Sequence, residues 1–330
     1  MDDVLMAGNL DRLKQIVEKV KCSYELGTVV YGPGVFQFFG LTVIQSDDLT
    51  VQLHANDKIN ACEAFPIDRQ RRKQVDAPLN KLENSSYRSL NSSLGWIGVA
   101  ISPFCAHAAS YLQQKGPTPT VGDLITQINM LRSLKKLGTT VAFNRPSMTG
   151  GYAISLVVFA DASRKQDRGQ LGMFSGLLFG ELSEGSTVHV LSWSSRKSKR
   201  PVKSIASAET LAVGEAIDEG KLLRNAFERL LNIEIELVII LDSKDLFDTL
   251  STCRNATDRS IRADVNVIRF EFETRAVSRM IWTTGATNLA ENLTKHNSPL
   301  TQALELLLFD GSLPFSLSDS ITRRSDQSTG

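Results

Sequence analysis

Two apolar runs that each stop at an aspartate constrain this chain more than any other feature. Leu156-Val157-Val158-Phe159-Ala160 leads into Asp161, and Leu237-Val238-Ile239-Ile240-Leu241 leads into Asp242. Short runs with no polar residue on either face read as strands buried on both sides, which requires helices above and below their sheet. An ionised carboxylate is too costly to bury alone, and in open α/β sheets ligands gather beyond the carboxyl ends of the strands. Two such aspartates on neighbouring strands repel unless a divalent metal sits between them. The plainer alternative is that each caps the next element, Asp161 a turn and Asp242 the helix at Lys244.

The flanking pattern fits such a sheet. Strand-like runs at 153–160, 172–182 and 188–193 precede a helical pattern over 206–231 and the 237–241 run. Helices follow around 244–250 and 260–276, then a short strand at 279–282 and a last helix before Asp310. Three antiparallel strands, a helix, a parallel strand and more helices make an α/β layer. Upstream, Leu10, Leu13, Ile16, Val17 and Val20 predict an amphipathic helix over 9–22. Runs 35–44 and 49–54, joined through Ser46-Asp47-Asp48, read as a hairpin ahead of a basic segment at Arg69 to Lys73. Residues 84–140 read as helical, with a turn at Gly116-Pro117-Thr118-Pro119 and Thr120 capping a helix to Leu137. Residues 89–114 carry no Lys, Arg, Asp or Glu, but Ser102-Pro103 splits them, so two buried helices are expected rather than a membrane span. Four zones result: 1–80, 81–149, 150–310, and a Ser- and Thr-rich tail, 311–330, containing Arg323-Arg324 and expected to be unstructured.

Composition adds exclusions. With 37 basic and 36 acidic residues the formal charge is +1, so affinity for nucleic acid has to come from a local patch. Cys22, Cys62, Cys105 and Cys253 form no CxxC pair, against a disulfide framework or a zinc cluster. With no basic leader or cleavage site at the N-terminus, the expected setting is intracellular, cytoplasmic and nuclear locations not being distinguished. The candidate patch is Arg196, Lys197, Lys199, Arg200 and Lys203, with no acid among them, suited to phosphates; a solvated loop is the alternative. Two further acids sit in polar settings: Glu209 near the start of the long helix, and Glu291 within Asn288-Leu289-Ala290-Glu291-Asn292-Leu293-Thr294-Lys295. Singly they read as a helix-dipole partner and an exposed first-turn acid. His296 is weighed as a proton carrier against a surface histidine, Cys105 and His107 as a buried helical pair, and Trp193 and Trp282 as core against base-stacking groups.

Together these segments resemble the RNase H domain of copia-type LTR retrotransposon polyproteins. The matches are Phe159-Ala160-Asp161-Ala162-Ser163, Ser192 to Lys197 running on to Ser207-Ala208-Glu209, Leu241-Asp242-Ser243-Lys244, Ile281-Trp282 and Asn288 to Lys295. Glu291 stands where the family usually has aspartate. Upstream, Met1-Asp2-Asp3-Val4-Leu5 resembles the end of a reverse transcriptase catalytic hairpin, and Phe38-Phe39-Gly40-Leu41 the strand after the palm helix. Tyr87 to Ile97 resembles the approach to the connection region, with Ile101-Ser102-Pro103-Phe104 where the family commonly has Thr-Arg-Pro-Asp. The resemblance spans about residues 1–308 and lacks the fingers and the other palm aspartate.

The resemblance implies an α/β fold with an RNase H-like mixed sheet flanked by helices, preceded by an α+β palm-end and connection fragment. It assigns Asp161, Glu209, Asp242 and Glu291 to binding two Mg²⁺ (or Mn²⁺) ions for hydrolysis of RNA in RNA–DNA hybrids. Hybrids are distinguished by groove shape and 2′-OH contacts, so no base-reading motif is expected. Asp2 and Asp3 supply one side of a polymerase site only, so polymerisation by this chain alone is not expected. The rival expectation is a catalytically inactive remnant that at most binds nucleic acid or a partner. No membrane association is expected, and the sequence does not specify an oligomeric state.

Overall fold

The computed structural model of the chain describes residues 4–146, 153–165, 168–252, 256, 258–295, 298–317 and 321–324. Asp2, Asp3, Cys253 and His296 lie outside them. Asn9 caps α1 (Leu10–Lys21) by accepting from the amides of Asp11 and Arg12. The run 35–44, expected as one hairpin arm, is itself a hairpin. Here β1 (Gly34–Phe38) and β2 (Leu41–Gln45) meet through Phe39 and Gly40, with φ of 51° and 76°. A two-residue turn with both central φ positive matches the right-handed twist of its strands. β3 (Val51–His54) leads into α2 (Asn56–Ala61), and β4 (Thr140–Phe143) completes an antiparallel sheet ordered β1-β2-β3-β4.

Between β3 and β4 the chain is helical. α3 (Lys81–Ala100) and α5 (Val121–Leu137) both open with capping boxes, Asn80 with Glu83 and Thr120 with Asp123. α4 (Pro103–Gln114) starts at the expected proline, so the uncharged 89–114 stretch forms two helices. Among the described residues no helix is long and apolar enough to cross a membrane. The basic segment is a short 3-10 turn, Arg71–Lys73, in which Arg71 forks onto Glu83 at 2.9 and 2.7 Å and pulls that buried carboxyl below its usual range.

The larger sheet has six strands. β5 (Ile154–Lys165) pairs antiparallel with β6 (Arg168–Phe179), and β6 with β7 (Thr187–Lys197). α6 (Ile205–Leu231) then crosses to β8 (Glu236–Leu241), parallel to β5. α7 (Lys244–Ser251) and α8 (Arg262–Glu273) lead to β9 (Arg279–Trp282), parallel to β8, and α9 (Thr301–Asp310) leads to β10 (Ile321–Arg324), antiparallel to β9. The order is β10-β9-β8-β5-β6-β7, a mixed sheet flanked by helices, as the sequence led us to expect.

Alternation along the strands divides the apolar residues between two cores. Val157, Phe159, Val238 and Ile240 pack on one side with α3, α4 and α9; Leu156, Val158, Leu237 and Ile239 pack on the other with α6 and α8. The first core also takes in Leu94, Leu131 and Val141, so it runs across the boundary drawn at 149/150. Between Ser175 and Gly176 the β6–β7 register skips one residue of β7, Leu191. Such a bulge shifts the alternation: Val188 and Val190 before it and Trp193 after it share a core, while Leu191 packs on the opposite one.

The tail differs from expectation. Gly311 ends α9 with φ 63°, Leu313 and Leu317 are buried, and Leu313 exchanges backbone hydrogen bonds of 2.8 Å with Gly185 and Ser186. Two leucines anchor a segment whose average composition is polar, which is why composition alone suggested no structure.

Candidate metal centre

The parallel pairing of β5 and β8 ends at Ala160 and Leu241, so Asp161 and Asp242 are the next residues on two adjacent strands. The expectation that the strand stops at Asp161 is corrected: β5 continues to Lys165 as a hairpin arm, with Asp161 opposite Gly172 of β6. Glu209 lies in the second turn of α6, whose start is set by Ser204 accepting from the Ser207 amide. Asp161, Glu209 and Asp242 each present an oxygen within 4.8 Å of the others'. Asp161 and Glu209 are buried and Asp242 is half-buried.

Burial and mutual repulsion dominate the electrostatics. Burial, then the charge of Asp242, pushes the Asp161 carboxyl up to about 7. Burial, then Asp161 and Asp242, pushes Glu209 up to about 9. Burial also raises Asp242, against a hydrogen bond from the Asn288 side chain. Thr294 Oγ1 donates to Asp161 Oδ2. Glu209 Oε2 is buried with no hydrogen-bond partner among the described residues. An orphaned buried oxygen is rare and calls for a reason. Three converging oxygen donors whose repulsion a cation would lift fit a hard divalent metal.

The fourth acid stands apart. Glu291 lies in a 3-10 turn, Leu289–Leu293, rather than at the start of an α-helix, and is not among the three converging acids. Its Oε1 accepts from Lys295 Nζ at 2.7 Å and its Oε2 from Ser298 Oγ at 2.9 Å. It remains close: a methyl group on Gly285 would sit 3.4 Å from Asp242 Oδ2 and 3.7 Å from Glu291 Oε1. The turn lies directly on the sheet because Gly172 has no side chain; a methyl there would be 2.7 Å from Thr294 Cγ2 and 2.8 Å from the Ala290 carbonyl. Asn288 Nδ2 donates to the Ala160 carbonyl at 2.9 Å, and the hydroxyls of Ser163 and Ser195 donate to the carbonyls of Thr294 and Leu293. Sequence reasoning assigned no role to Asn288, Thr294 or Lys295. The signal was the density of polar residues inside an otherwise buried motif.

The basic loop begins two strands away. Asp161 pairs with Gly172 and Gly172 with Ser195, one residue before Arg196, a separation of roughly 10 Å across the sheet. Arg196 and Arg200 are held by Glu215 and Asp264, both at 2.7 Å, whereas Lys197, Lys199 and Lys203 are exposed. Both indoles are structural: Trp193 Nε1 donates to the Gly98 carbonyl at 2.6 Å and Trp282 Nε1 to the Asp242 carbonyl at 3.0 Å. Cys105 and His107 are buried in α4, and burial pushes the Cys105 thiol up to about 12.

No family model matches the chain, and no curated protein matches it by sequence. Among solved structures it is similar to LC11-RNase H1, isolated from compost by a metagenomic approach, at 15% identity and TM-score 0.31, over 42% of this chain and 91% of that one. LC11-RNase H1 in complex with an RNA/DNA hybrid matches at 15% identity and TM-score 0.31, over 42% and 93%. RNase H1 from the halophilic archaeon Halobacterium salinarum NRC-1 matches at 13% identity and TM-score 0.28, over 41% and 90%.

Proposed function

We propose that the chain is a metal-dependent endoribonuclease acting on the RNA strand of RNA–DNA hybrids, of the copia-type retroelement kind its motifs resemble. The observation that carries this reading is the convergence of Asp161, Glu209 and Asp242, together with a buried Glu209 oxygen that has no hydrogen-bond partner among the described residues. These three would hold Mg²⁺ or Mn²⁺, with Glu291 completing the ligands of a second ion. Bound metal supplies Lewis acidity to a phosphodiester and acidity to its water. In hydrolysis a bond forms from water oxygen to phosphorus as the bond to the 3′ oxygen breaks.

The chain's own residues hold and orient. Thr294 fixes Asp161, Asn288 ties the acid-bearing turn to β5, and Trp282 fixes the backbone of Asp242. Lys197, Lys199 and Lys203 attract phosphates from the rim. A labelled RNA–DNA hybrid tests the reading: cleavage is expected with Mg²⁺ or Mn²⁺, none with EDTA, and none of double-stranded DNA. Absence of metal-dependent cleavage overturns it. One observation favours the inactive-remnant alternative, namely that both Glu291 oxygens are already engaged by Lys295 and Ser298. Hybrid binding without cleavage in either metal would be its signature.

A further inference from the structure

Lys295 brings a positive charge to a cluster of carboxylates. Its Nζ lies 2.7 Å from Glu291 Oε1; the Glu291 side chain is 13% exposed and that of Lys295 46%. The pair therefore reaches from the buried acids to solvent. An exposed ion pair contributes little, but a mostly buried carboxylate that loses its partner is left with an uncompensated charge. Glu291 Oε1 and Asp242 Oδ2 both lie within 4 Å of the position a methyl on Gly285 would take, so the oxygen that Lys295 engages is the Glu291 oxygen that shares this point with Asp242.

We propose that Lys295 is a positioning residue that competes with divalent metal for Glu291. It holds Glu291 back from the three converging acids in the metal-free protein and gives it up as metal binds. This inference rests on the metal-dependent reading above, and it concerns binding rather than turnover.

The test is equilibrium Mn²⁺ binding by the full chain, with free Mn²⁺ followed by electron paramagnetic resonance, alongside thermal melts in EDTA. Lys295→Gln is expected to strengthen Mn²⁺ binding about tenfold by removing a competing charge, and to lower the metal-free Tm by roughly 2–4 °C. Lys295→Arg keeps the charge and is expected to behave as the parent does. In a Glu291→Gln background, Lys295→Gln should no longer change Mn²⁺ affinity, because the contested carboxylate is gone. Equal Mn²⁺ binding by the parent and Lys295→Gln overturns the competition while leaving the metal site standing. A tenfold gain that persists in the Glu291→Gln background also overturns it, since Lys295 would then act on the site's charge in general. No Mn²⁺ binding by the parent or any variant overturns the metal reading itself.

Discussion

Glu209 and Asp161 hold carboxyl groups whose ordinary values near 4 are pushed up to about 9 and about 7 by burial and by neighbouring acids. The folded state therefore favours their protonated forms. That contribution to stability is complete below about pH 4 and is lost as the pH rises through the two folded values. Thermal melts in EDTA should show the Tm falling between pH 5 and pH 9, with Glu209→Gln flattening the profile. A profile that rises over this range would contradict the burial argument. Glu83 has the opposite sign, because Arg71 lowers its value, and its contribution is lost only on acidification below that window. Asp242→Asn removes one of the repelling charges with little change in volume. It is expected to raise the metal-free Tm by roughly 2–4 °C, to abolish stabilisation by Mn²⁺, and to abolish hybrid cleavage. At Glu291 the extra methylene relative to aspartate allows the reach to Lys295 and Ser298. Mg²⁺ demands near-octahedral geometry at about 2.0–2.1 Å, so the parent should cleave better with Mn²⁺ and Glu291→Asp should cleave faster than the parent. Rates for both proteins in both metals decide this, and a Glu291→Asp variant no faster in either would remove Glu291 as the limiting group.

Elements fix these residues through close contacts that a local reading cannot show. Gly172 lets the Leu289–Leu293 turn lie on β6. Gly172→Ala should lift that turn and destabilise the fold by about 1–3 kcal/mol, as other overpacked sites do, measurable by urea denaturation. The end of β7 and the loop after it present three exposed lysines. Replacing Lys197, Lys199 and Lys203 by Ala should reduce the log–log salt slope of hybrid binding by roughly one unit per lost phosphate contact; an unchanged slope would place the hybrid elsewhere. Much of this scale was legible in the sequence. The cap at Thr120, the break at Pro103 and the buried runs of β5 and β8 announce themselves through local chemistry. What was not legible has a physical reason. Asp161-Ala162-Ser163 reads as a turn because its strand partner, β6, is not visible from within it. Phe39 gives no hint of a positive φ, so in the sequence alone the tight turn reads as continuous strand. The partners of Asn288 and Thr294 are 128 and 133 residues away in sequence.

For the molecule as a whole, the helical α3–α5 layer and the six-stranded sheet share one core. Leu94, Ile97 and Val141 lie in it with Val157, Phe159 and Val188. Compositional zones suggested separate units because a shared core appears only when distant residues are brought together. A fragment beginning at residue 153 would expose the apolar face carrying Val157 and Phe159. It is expected to bind a hydrophobic dye and to melt below the full chain, and an equally stable fragment would show the helical layer to be dispensable. The bulge in β7 has a consequence of another sort, for inheritance. Because Leu191 is supernumerary, deleting its codon would restore plain alternation and leave every later pairing as it is, Ser192 with Ser175 and Trp193 with Phe174. The Trp193 indole would keep the Gly98 carbonyl and the Ser195 hydroxyl would keep the turn that bears Glu291. Replacing Leu191 by another apolar residue leaves that frame untouched. Descendants of this gene should therefore tolerate both replacement and loss of this one codon, whereas a second deletion in β7 would turn the strand over.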